Sequence, residues 1–72
     1  GLPALLLAAK TLSRARRAGR RQPPASKVQF SSENELGDVL FSLVRSASEQ
    51  GLDAEAALRA AVRRYTDDGS GS

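Results

Sequence analysis

The chain has 72 residues, 11 Lys/Arg, eight Asp/Glu, no His and no Cys, for a net charge of +3. A chain this short buries only ~60% of the surface its unfolded form exposes, so it is one small domain or part of a larger one, and marginal alone. Lack of Cys and His excludes disulfide staples, thiolate zinc sites and histidine acid–base chemistry, and leaves carboxylates suited to hard cations such as Mg²⁺ as the only metal ligands.

Charge is unevenly spread. Residues 1–27 carry seven Lys/Arg and no acid (+7), whereas residues 28–72 carry four Arg and eight acids (−4). Such asymmetry suits either a polyanionic partner or mutual attraction of the two parts, within one chain or between copies. No apolar run reaches 18 residues, so no transmembrane helix is expected. The opening LPALLLAA lacks a preceding basic segment and does not read as a signal peptide. Absence of Cys fits a cytoplasmic location.

The first expected helix covers residues 2–18. Pro3 suits its first turn, and Leu2, Leu5, Leu6, Ala9 and Leu12 form its apolar stripe. Gly19 is a plausible stop, with Arg14, Arg16 and Arg17 at the negative end of the helix dipole. Lys10, Arg14, Arg17 and Arg21 make a basic stripe if the helix continues. No aromatics are interleaved with them and no DNA-reading motif is evident, so nucleic-acid binding ranks low. Residues 20–31 are a connector. Pro23-Pro24 forbids helix there, and Val28 and Phe30 are expected to anchor it onto the helices.

The second helix is expected from about Glu33 to Gln50. Leu36, Val39, Leu40, Leu43, Val44 and Ala47 recur at helical spacing on one face. Ser32 caps its start, with Glu35 three residues on reaching back to it. Gly37 costs ~1 kcal/mol relative to Ala inside a helix, which suits either tolerance near the first turn or close approach of a helix or ligand. Phe41 lies off the centre of the stripe, at a second contact surface or the edge of the core. Ser42 and Ser46 face the polar side with no base at a supporting spacing, so neither is a nucleophile. Glu35 and Asp38 share a polar face, either as solvated acids of a capped turn or as metal ligands.

Gly51 ends that helix. A third starts after Asp53 and carries Ala54, Ala57, Leu58, Ala61, Val62 and Tyr65 as its stripe. DDGSGS, residues 67–72, has linker composition and is expected to be a flexible tail. The expectation is an all-α domain over residues 1–66, three helices with a long central one. Little more than a dozen large apolar side chains are available, so the bundle is expected to complete its core by oligomerisation.

Asn34–Tyr65 resembles the MazG family of nucleoside triphosphate pyrophosphohydrolases. Glu35-Leu36-Gly37-Asp38, Gln50-Gly51-Leu52-Asp53 and Ala57-Leu58-Arg59 follow the family's second half. Leu2–Gly19 resembles its first helix, with Lys10 and Arg14 on the basic positions. The likeness covers roughly fifty residues in the right order. It implies an all-α, usually oligomeric fold that hydrolyses nucleoside triphosphates to monophosphate and pyrophosphate, with Glu35 and Asp38 holding Mg²⁺ and Lys10 and Arg14 binding phosphates.

The family's E-E-x-x-E helix, which supplies the other half of its metal set, has no counterpart near Lys27-Val28. The aromatic segment after the first helix's glycine is replaced by Arg20-Arg21-Gln22-Pro23, and Asn34 stands at a family acid. The resemblance therefore implies an impaired or inactive hydrolase domain. Symmetric pairing that brings Glu35 and Asp38 of two chains together would restore four carboxylates. The alternative is a non-enzymatic helical dimerisation or interaction module.

Overall fold

A computed structural model describes residues 1–70, with side chains described through residue 67. It is all-α: α1 spans Ala4–Arg17, α2 Glu33–Glu49 and α3 Ala54–Ser70, with no strand among the described residues. No helix is long and apolar enough to cross a membrane. Chain contacts divide it into two compact units, one of Gly1–Pro24 with Glu55–Ser72 and the other of Ala25–Ala54.

The first unit pairs α1 with α3. Pro3 gives α1 no side-chain cap. Glu55 in the first turn of α3 supplies one instead, its Oε2 accepting from the Ala4 N–H at 2.8 Å. Arg59 braces the same corner, donating through Nη2 to Glu55 Oε2 and to the Leu2 carbonyl, each at 2.8 Å. At the other end the Tyr65 hydroxyl donates to the Arg21 carbonyl at 2.5 Å. Start meets start and end meets end, so α1 and α3 run parallel.

Among the described residues the buried hydrophobic ones are Ala4, Ala15 and Val62. This departs from the leucine stripe expected for α1. Ala4, Ala8, Thr11 and Ala15 fall on one face at helical spacing, and small side chains let a neighbouring helix approach closely. Leu5 (57% exposed), Leu6 (44%) and Leu2 (37%) remain outside. The α3 stripe follows expectation: Val62 is buried and Ala54, Leu58, Ala61 and Tyr65 are half-buried, with Ala57 alone exposed. The helix also runs to Ser70, through residues expected in a flexible tail, while residues 71 and 72 lie outside the described residues.

Gly19, at φ 71°, ends α1 in the left-handed region that favours glycine. The Arg20 N–H bonds back to the Ala15 carbonyl at 2.8 Å and the Gly19 N–H to Arg16 at 3.1 Å. Arg21 consequently leaves the helix, and the basic stripe stops at Arg17.

The second unit is α2 and its flanks. Gly51, at φ 74°, closes α2 in the same way, with Leu52 N–H bonded to the Ala47 carbonyl at 2.8 Å. No residue of α2 is buried. Val39, Leu40 and Ala47 are half-buried, while Leu36, Phe41, Leu43 and Val44 are exposed. Val28 and Phe30 are also exposed, so they do not anchor the connector as expected. Nothing approaches within 4 Å of a Cβ placed on Gly37, so no close contact in this chain calls for its glycine.

Candidate functional site

The acidic pair sits at the start of α2. Ser32 has an extended backbone (φ −161°, ψ 166°), and its hydroxyl accepts from the Glu35 N–H at 3.2 Å. Glu35 reaches back one residue further than a standard capping box, to Ser31 rather than Ser32. Its Oε2 accepts from the Ser31 N–H at 3.0 Å and from the Ser31 hydroxyl. Those donors, the hydroxyl first and the amide second, favour the ionised carboxylate and hold Glu35 below its ordinary value of 4.5, with only a small opposing effect of burial. The charge also faces the positive end of the α2 dipole.

Asp38 follows one turn later and is exposed. Magnesium takes six oxygens in near-ideal octahedral geometry and is usually held by one or two carboxylates plus water or substrate phosphate. Among the described residues no group of three or more His, Cys, Asp or Glu gathers around one point. Glu35 and Asp38 of one chain could offer such an ion at most two carboxylates. The residues present do not fit a resident metal, and the bonds seen at Glu35 are those of a helix cap.

The basic pair sits on α1 in the other unit. Lys10 and Arg14 lie one turn apart and are both exposed. Arg14 lines a concavity of about 220 Å³ together with Arg20, Thr11, Ala15 and Tyr65, and Lys10 is not part of its wall. Sequence reasoning passed over Arg20, which belongs to neither helix period. The signal for it was the stop at Gly19, which turns the next residue back over the end of α1.

Glu55 is the other polar residue whose role the sequence understated. An acid in the first turn of a helix ordinarily serves that helix's own dipole, yet Glu55 caps a helix some fifty residues earlier in the chain. Arg45 and Glu49 form an ion pair at 3.2 Å on the outside of α2, with both side chains largely exposed. Such pairs contribute little. Compared with known proteins, the chain matches no family model, no curated protein and no solved structure.

Proposed function

We propose that the chain is a MazG-like helical domain whose working role is self-association through α2, with weak or no nucleoside triphosphate hydrolysis of its own. The observation that carries the association is α2: it has 17 residues and none is buried, and Leu43 is 61% and Val44 49% exposed. Among the described residues the core is two alanines and a valine, small for an independent domain.

The expected occupant of this face is a second copy. The stripe at residues 36, 39, 40, 43, 44 and 47 has the same spacing read from either end. An antiparallel copy therefore meets it in register, Leu36 opposite Ala47, Val39 opposite Val44 and Leu40 opposite Leu43. That arrangement is isologous, so every contact is made twice. It also sets the two α2 dipoles antiparallel, which is the favourable sense.

Impaired catalysis is supported by the engagement of Glu35 in the cap and by the small number of acids near it. Two measurements test the reading. Sedimentation velocity should show a dimer or larger at micromolar concentration, and a stable monomer would overturn the association. Pyrophosphate release from a panel of nucleoside triphosphates with Mg²⁺ should stay near the enzyme-free rate. Turnover abolished by Glu35→Ala would overturn the impairment.

A further inference from the structure

We propose that the apolar concavity between α1 and α3 takes the Phe41 side chain of a second copy of the chain. The concavity lies wholly within the first compact unit. Its walls include Ala8 and Leu12 of α1, Leu58, Ala61 and Val62 of α3, and Pro23 of the connector, and almost all of its surface is apolar. Leu12, Leu58 and Ala61 are only half-buried, so the walls are open to a side chain arriving from outside. Its volume is about 190 Å³. An apolar cavity of roughly 150 Å³ holds a benzene ring, so there is room for one phenyl group.

Phe41 is 76% exposed, more than any other large apolar side chain among the described residues. It lies off the α2 stripe, so a seam along that stripe leaves it uncovered. Aromatic side chains are enriched where protein surfaces meet. Gly37, one turn earlier on the same side of α2, has open space where a Cβ would stand. Nothing in its own chain calls for that glycine, but a second copy seated over Phe41 can approach closely there. Charge names the partner. The unit that holds the concavity has nine Lys/Arg and three acids (+6), and the unit that holds Phe41 has two and five (−3). Unlike units of two copies therefore attract, whereas like units repel. The same match recurs at the rim. Arg16 lies one turn beyond Leu12 and Asp38 one turn before Phe41, both exposed and neither in an ion pair among the described residues. A small apolar molecule suits the walls but gains nothing from these charges. This contact uses neither the α2 seam nor the nucleotide reading.

The test mixes full chains carrying ¹³C-labelled Leu and Val methyls with unlabelled chains. Isotope-filtered NMR should show cross-peaks from the Phe41 ring of the unlabelled chain to the Leu12 and Leu58 methyls of the labelled one. Sedimentation velocity in a Leu43→Ala background keeps the α2 seam from masking the contact. There Phe41→Ala should weaken the remaining association on the order of ten-fold, the effect of leaving one aromatic side chain unburied. Phe30→Ala, the other aromatic of that unit, should leave it within about two-fold. Arg16→Glu should also weaken association, and adding Asp38→Arg should restore most of the loss. Circular dichroism on each variant separates lost contact from lost fold. Absence of cross-peaks between chains, equal loss in Phe30→Ala and Phe41→Ala, or no recovery in the charge swap would overturn the proposal. Loss of association in Leu43→Ala alone, with Phe41→Ala adding nothing, would leave the α2 seam standing and remove this contact.

Discussion

Leu43→Ala is the sharpest perturbation of the α2 seam. Leu43 lies near the middle of the stripe, is 61% exposed in the single chain, and would sit opposite Leu40 of the second copy in the proposed antiparallel dimer. Fully burying a leucine gives about 1.5–3 kcal/mol, so covering the part still exposed gives roughly 1–2 kcal/mol. Two-fold symmetry uses the residue twice, for roughly 2–4 kcal/mol per dimer. Truncation to Ala should thus weaken the dimer about 30- to 1000-fold. The free chain should hardly notice, because alanine favours helix at least as well and exposed substitutions stay within ~0.5 kcal/mol. Sedimentation velocity across a concentration series reads the association, and circular dichroism reads the fold. Unchanged association in Leu43→Ala would refute the seam. So would a greater loss in Phe41→Ala, because Phe41 is the most exposed large apolar residue of α2 but lies off the stripe.

Three further outcomes follow from particular contacts. Gly37→Ala should raise the chain's thermal stability by about 0.5–1 kcal/mol, because a Cβ there meets open space and Ala forms helix more readily than Gly; destabilisation on dilution into the monomer would show that reasoning wrong. Tyr65→Phe should cost about 0.5–1.5 kcal/mol in thermal unfolding by removing the hydroxyl bond to Arg21, and no change would mean that bond does not hold the end of α1. Glu35 has its pKa lowered in the fold, so its contribution is present above the ordinary value of 4.5 and fades as pH falls through the lower folded value. The amide signals of Ser31 and Glu35 should move in that acidic window in the native chain and stay put in Glu35→Gln.

Helix number, the two glycine stops and the Ser32 cap were legible because each rests on local chemistry. A left-handed glycine and a capping hydroxyl act within four residues of the helix they end. The inward face of α1 was not legible. Its leucines match an apolar stripe, and so do its alanines, one step round the same helix. Hydrophobic periodicity rewards the larger side chains. Packing against a parallel neighbour instead favours Ala4 and Ala15, because backbones approach closely only over small residues. Linker composition over Asp67–Ser70 gave no sign that α3 continues to Ser70. Long-range polar contacts were beyond reach altogether: the Glu55 bond to Ala4 spans 51 residues and the Tyr65 bond to Arg21 spans 44.

The acidic pair was found from sequence, but its partner was assigned one residue too late, and that small difference bears on metal binding. Both Ser31 donors converge on the same Glu35 oxygen, Oε2. They stabilise the anion, which is why its pKa falls. A carboxylate stabilised in this way is a less basic and weaker ligand, and a cation approaching it must compete with two existing bonds and with the positive end of α2. Millimolar Mg²⁺ should therefore leave the thermal midpoint of the native chain unchanged within ~1 °C, the shift expected when concentration stays below the dissociation constant. Ser31→Ala removes the hydroxyl donor, so Glu35 becomes more basic and the chain's affinity for Mg²⁺ should rise even as the cap weakens. Isothermal titration with Mg²⁺ on both proteins reads the comparison. Tight binding by the native chain, lost in Ser31→Ala, would show that Ser31 orients Glu35 for a metal and would reverse the assignment of this carboxylate as a cap.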